Sequence, residues 1–274
     1  MSESTAVKQK TLQLTHGQIH LNYTEGSETP VLLLHGVGNS SESFEMLIPH
    51  LGSPVIAPDL LGFGKSNIND RNRIKAHAQD MVELMDALNI EEFFIAGNSF
   101  GGDIALEMAL LVPGRVKGVV SLNGGGLAMD TPLQFRLMLR PPLSTILFSK
   151  MIGPSIWKEY IKSLYQSDEF KKNEFLNQRL GFLKQPGRMT ALLNNLKTLD
   201  TDRTALHTRL SNLKTPAMVI YGENDPEFSV EYGQQLAKAI EGSFEKISGA
   251  GHFVHEDQPK AVGSRIQSWI ATLR

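Results

Sequence analysis

Phe93-Phe94-Ile95-Ala96-Gly97-Asn98-Ser99-Phe100-Gly101-Gly102 carries an apolar run into a G-x-S-x-G turn and on into a helical pattern over Gly101–Leu111. The run is short and continuously apolar, as a strand covered on both faces requires. A serine at such a strand-to-helix turn stands clear of the sheet in strained backbone geometry, and Gly97 and Gly101 leave room for the turn and the crossing helix. The turn thus offers the Ser99 hydroxyl as a nucleophile. The Phe100 N–H, at the helix start, lies close to where negative charge would develop on an attacked carbonyl oxygen. Asp103, a helical turn further on, cannot replace Ser99 and is expected to be solvated or to cap the helix.

On either side of this turn, strand and helix patterns alternate. Thr11–Leu14 and Ile19–Tyr23, separated by His16-Gly17, predict a β-hairpin, and Val31–Leu34 a short buried strand. Further strands are predicted at Pro54–Ala57, Phe93–Ala96, Val116–Leu122, Ala217–Tyr221 and Phe244–Ile247. Helices are predicted at Ile74–Leu88, Gly101–Leu111, Val230–Ile240 and Pro259–Leu273. The alternation predicts an α/β fold: a doubly wound, mostly parallel, eight-stranded sheet flanked by helices.

From Leu127 to about Leu213 the strand signals stop. Helical segments rich in Leu, Ile, Phe and Met follow, broken at Pro141-Pro142, Gly153-Pro154 and Pro186-Gly187. The division expected is a core of residues 1–126 and 214–274 with a helical lid inserted at 127–213. The apolar residues Phe135, Leu139, Leu143, Phe148, Met151, Ile152, Trp157 and Leu164 exceed what a small helical piece can bury alone. Some of them should therefore face the core across a cavity.

Composition narrows the partners. The 274 residues carry a formal net charge of -2 and no cysteine. No basic field exists to attract nucleic acid or anionic lipid, which points to a small-molecule substrate. Disulfides, thiolate nucleophiles and Cys-ligated metals are excluded. The polar Met1–Lys10 segment and the lack of a long apolar run predict no membrane span, and a cytoplasmic monomer or homodimer needing neither metal nor cofactor is the expectation.

Four segments together resemble the α/β-hydrolase superfamily over nearly the whole chain: His35-Gly36-Val37-Gly38, Asp59-Leu60-Leu61-Gly62-Phe63-Gly64-Lys65-Ser66, the Ser99 turn, and Gly249-Ala250-Gly251-His252. The resemblance implies a second oxyanion donor at the Val37 N–H, with His35 bracing that loop. Of the eight histidines, it makes His252 the base, with His255 packing at the start of the final helix. In Tyr221-Gly222-Glu223-Asn224-Asp225 the family's G-x-x-D pattern makes Asp225 the acid, with Glu223 its nearest rival. The chain order Ser, Asp, His agrees with this fold.

The mechanism so implied is attack by Ser99 on a carbonyl, followed by hydrolysis of an acyl-enzyme, with a small, largely apolar ester or thioester as the substrate. Trp157 and Phe253 are expected to line the site. The Gly-Asn-Ser-Phe-Gly-Gly and Asp-Leu-Leu-Gly-Phe-Gly-Lys-Ser segments also resemble the carbon–carbon bond hydrolases of aromatic ring-fission products. That second reading implies substrate-binding roles for Asn98 and for Arg179, which would pair with a substrate carboxylate. Two departures from that group are Gly36-Val37-Gly38-Asn39, which lacks its further Gly-Pro-Gly, and Phe253, where a tryptophan is usual. A third reading is a small-molecule receptor that keeps an intact triad.

Overall fold

A computed structural model describes residues 6–128 and 154–274, apart from the Pro154 side chain. In chain order the strands are β1 (Lys8–Leu14), β2 (Gly17–Tyr23), β3 (Val31–Leu34), β4 (Val55–Pro58), β5 (Phe93–Asn98), β6 (Val116–Leu122), β7 (Ala217–Gly222) and β8 (Ser243–Ile247). They form one sheet in the order β1-β2-β4-β3-β5-β6-β7-β8. The strands from β4 to β8 pair parallel, and β2 pairs antiparallel with both β1 and β4. The eight-stranded, mostly parallel sheet expected from the sequence is present.

The central strands read as continuous apolar runs because both of their faces are covered. Leu32, Leu34, Ile95, Val119 and Val219 belong to one core, whereas Val31, Leu33, Phe94, Ala96, Val120 and Ile220 belong to the other. Side chains alternate between these two cores along each strand. The first core is closed by α1 (Ile74–Ala87), α2 (Phe100–Leu111) and, later in the chain, α6 (Val230–Ala239). The second is closed by α8 (Pro259–Ala271) and by 3-10 turns at Ser41–Phe44 and Ile48–His50. Each fully buried Leu, Ile, Val or Phe contributes about 1.5–3 kcal/mol of transfer free energy.

Between β6 and β7 the described residues form α3 (Pro154–Ser163), α4 (Asn173–Arg179) and α5 (Arg188–His207); α7 (Val254–Asp257) precedes α8. Of the apolar insertion residues named above, only Trp157 and Leu164 fall within the described residues, and both are buried in the first core. Helix α5 is tied across α1 by polar contacts. Asp202 accepts from the Ile74 N–H at 2.9 Å and from Arg73 Nε at 2.5 Å, and Asn195 Oδ1 bonds His77 Nε2 at 2.9 Å. Asp202 thus supplies the acceptor for the first turn of α1 that Arg73, at the N-cap position, does not provide. Burial lowers the pKa of His77 to about 4, so that contact is made by a neutral ring.

Candidate active site

The loops leaving the carboxyl ends of β3, β5, β6, β7 and β8 converge on one edge of the sheet, where ligands of open α/β sheets bind. Ser99 opens the connection from β5 to α2 with φ 53° and ψ −120°. Such a conformation costs a non-glycine residue about 1–3 kcal/mol. Its N–H donates to Leu122 O at 3.0 Å, and its carbonyl accepts from Gly102 N at 2.8 Å, so both sides of the strained peptide are anchored. The flanking glycines are required for space. A Cβ on Gly97 would stand 2.1 Å from Gly101 O, and one on Gly101 would stand 2.0 Å from Leu34 O.

The loop after β3 packs against this turn, and a Cβ on Gly36 would lie 3.3 Å from Ser99 Cβ. His35 braces the loop. Its Nδ1–H donates to Gly36 O at 2.8 Å and its Nε2 accepts from Leu60 N at 2.9 Å, an arrangement that requires the neutral ring; burial lowers its pKa in the same direction. The backbone N–H groups of Val37 and Phe100 find no acceptor among the described residues.

His252 is buried, and its two ring nitrogens face two carboxylates. Nδ1 meets Asp225 Oδ2 at 2.9 Å, and Nε2 meets Glu227 Oε2 at 3.0 Å. Asp225 is fixed by Asn123 Nδ2 at 2.6 Å and by the Glu227 N–H at 2.8 Å. Burial opposes its ionisation, but the His252 charge and these donors outweigh that and hold its pKa below the usual carboxylate value. Burial likewise works against the His252 charge, yet Glu227 and Asp225 together raise its pKa to about 10. His252 is thus favoured as the charged imidazolium, its Nδ1–H donating to Asp225 and its Nε2 lying beside Glu227, and the Ser99 hydroxyl makes no hydrogen bond among the described residues.

The rivals lie elsewhere. Glu223 is exposed and pairs with Lys246 at 2.5 Å. His255 is buried in α7 with its ring 4.8 Å from that of Phe44.

A cavity of about 480 Å³ opens over Ser99 and His252. Trp157, Ile161, Leu196, Leu199, Phe228 and Phe253 give it an apolar wall, and Val37, Arg203 and Glu227 also line it. Trp157 presses on the β3 loop, where a Cβ on Gly38 would come 2.8 Å from its ring.

Two expected substrate contacts are not in this wall. Asn98 turns inward, its Nδ2 donating to Leu122 O and His252 O, both at 3.0 Å, so it staples the His252 loop to β6. Arg179 is buried against Glu256 at 3.2 Å and stacks over the Phe175 ring at 5.1 Å. The expectation that it meets a substrate carboxylate is corrected: a protein carboxylate already occupies it. Asp103 is corrected as well, being neither solvated nor a cap. It is buried, pairs with Arg203 Nε at 2.9 Å and accepts from Gly126 N.

Sequence reasoning missed Arg203 and Glu227. Glu227 follows Asp225 by two residues, and that proximity was its one available signal. Among the described residues no group of three or more His, Asp or Glu side chains could hold a metal ion, and no helix is long and apolar enough to cross a membrane.

Comparison with known proteins agrees with this architecture. The chain is 26% identical over 292 residues to the 2-hydroxy-6-oxo-6-phenylhexa-2,4-dienoate hydrolase of Burkholderia cepacia, covering 99% of this chain and 98% of that one. It superposes with a TM-score of 0.84 on a serine hydrolase from Cycloclasticus zankles, at 20% identity and covering 98% and 99% of the two chains. A thermophilic esterase from Thermogutta terrifontis gives a TM-score of 0.79 at 24% identity, covering 98% and 99%. The model of the alpha/beta hydrolase fold family matches residues 29–259, and the chain belongs to that family of hydrolases.

Proposed function

We propose that Ser99, His252 and Asp225 act as a catalytic triad on a small, largely apolar carboxylic ester or thioester, beneath a lid formed by residues 127–213. The observation that carries this reading is the convergence on one apolar cavity of Ser99 and of a histidine whose far nitrogen is held at 2.9 Å by a buried aspartate. In the reaction, neutral His252 takes the Ser99 proton on Nε2 as Oγ bonds to the substrate carbonyl carbon. The tetrahedral oxyanion accepts from the Val37 and Phe100 N–H groups, and each such donor is worth about 3 kcal/mol. Collapse breaks the bond to the alcohol or thiol, which leaves with the proton from His252. Water, deprotonated by the same nitrogen, then frees the acid and restores Ser99. Asp225 keeps Nδ1 protonated throughout, so that Nε2 faces the serine.

A second reading, cleavage of a carbon–carbon bond in a ring-fission product, is favoured by the full-length likeness to the Burkholderia cepacia hydrolase. It has less support at the site, because Arg179 is engaged by Glu256. The test is steady-state turnover of p-nitrophenyl esters of graded chain length beside a ring-fission dienone, with fluorophosphonate labelling of Ser99. Faster turnover of the esters and labelling at Ser99 are expected. A preference for the dienone would reverse the order of the two readings. An unlabelled Ser99 would remove both, and a single slow turnover would favour a receptor.

A further inference from the structure

Glu227 has no part in the mechanism above, yet it occupies the atom on which that mechanism turns. Its Oε2 lies 3.0 Å from His252 Nε2, its side chain is 29% exposed, and it lines the same cavity as Ser99. A ring nitrogen carries either a proton or a free lone pair. While Nε2 holds a proton beside Glu227, it cannot accept from Ser99. The reactive arrangement therefore leaves the Glu227 carboxylate without the positive charge beside it. A substrate seated in the cavity also displaces the water that would otherwise take that place, and the neighbouring walls, Trp157, Leu196, Leu199 and Phe253, offer no charge. Among the described lining residues, Arg203 is the arginine, and it is engaged by Asp103 at 2.9 Å. A carboxylate left in such surroundings favours a ligand that brings positive charge or a proton donor, and it opposes one that brings a second carboxylate.

Resting on the ester-hydrolase reading, we propose that Glu227 is a specificity-determining residue that selects substrates whose acyl group carries a cationic or proton-donating substituent and turns away those carrying a carboxylate. Monoesters of dicarboxylic acids belong to the rejected class, and amino-substituted acyl esters belong to the favoured one.

The test compares kcat/KM for three p-nitrophenyl esters of similar length: the butyrate, the glutarate monoester and the 4-(trimethylammonio)butyrate. The wild-type ratio of cationic to anionic ester is expected to exceed about thirtyfold, or ~2 kcal/mol. It should fall below about fivefold in Glu227→Gln and persist in Glu227→Asp, which keeps the charge. A wild-type ratio below about tenfold, or a Gln variant that retains the wild-type ratio, overturns the proposal. Binding of the three corresponding methyl ketones, followed by calorimetry, reads the same preference without turnover. Should Ser99 fail to take a fluorophosphonate, the ester reading falls while this binding ratio still decides the role of Glu227: a preference for the cationic ketone that is lost in Glu227→Gln upholds it, and equal binding of all three overturns it.

Discussion

The edge of the sheet and the helices between β6 and β7 both contribute buried charged groups near the cavity, but they hold them differently. At the sheet edge, Asp225 is fixed by backbone and side-chain donors of loops pinned to adjacent strands, and its charge is directed at His252. On the helices, each buried arginine among the described residues is met by a protein acceptor: Arg179 by Glu256, Arg203 by Asp103, and Arg188 by the Phe63 carbonyl. The first arrangement presents chemistry to the cavity, and the second fastens the helices onto the core. A buried charge reveals a role only through its partner.

Substitutions can break this contrast. The largest effect is expected for Ser99→Ala, with a loss of about a millionfold in kcat on p-nitrophenyl butyrate and unchanged unfolding by urea. Residual activity within a hundredfold of wild type would end the triad reading. Asp225→Asn should lose about ten-thousandfold, because the amide no longer fixes the Nδ1–H tautomer that leaves Nε2 free for the serine. Arg179→Ala belongs to the opposite kind. It strands the buried Glu256 carboxylate and should cost about 3–5 kcal/mol of stability in urea titration, while altering turnover of a neutral ester and a carboxylate-bearing dienone equally. A loss confined to the dienone would restore the arginine to the substrate site.

Two smaller effects sharpen the picture of the base. Burial disfavours the His252 charge, but Glu227 and Asp225 overcome it and raise the pKa to about 10, and only the deprotonated ring can accept the Ser99 proton. In the free enzyme kcat/KM should therefore climb as pH rises through the alkaline range. Glu227→Gln should shift that rise toward neutral pH by about one unit or more. A wild-type profile already flat at pH 8 would contradict the contact. Last, Trp157→Ala removes an aromatic wall and should raise KM for longer acyl chains by about tenfold with little change in kcat.

Much of the fold was legible because most of its sheet is parallel. A strand buried on both faces leaves a short, unbroken apolar run, and Val31–Leu34 begins and ends where that run does; Val116–Leu122, although interrupted by Lys117 and Ser121, also has the bounds expected of it. The other strands extend by one to three residues beyond their runs, since backbone pairing continues past the last apolar side chain, as at Gly97-Asn98. The glycines of the Ser99 turn were equally readable, since at Gly97 and Gly101 backbone comes within about 2 Å of where a Cβ would stand. The expectations for Phe135, Leu139, Leu143, Phe148, Met151 and Ile152 lie outside the described residues.

Arg179, Asp103 and Glu227 mark where sequence stopped being informative. A motif encodes a residue type at a fixed separation along the chain. The partner of Arg179 is 77 positions away and that of Asp103 is 100 positions away. By itself the sequence determined which segments are buried strands, the strained serine and the residues carried on the loops beside it, because each depends on neighbours within a few positions. Only the tertiary structure decided which charges are spent inside the protein and which face the cavity, because burial and electrostatic pairing are properties of surroundings assembled from distant segments.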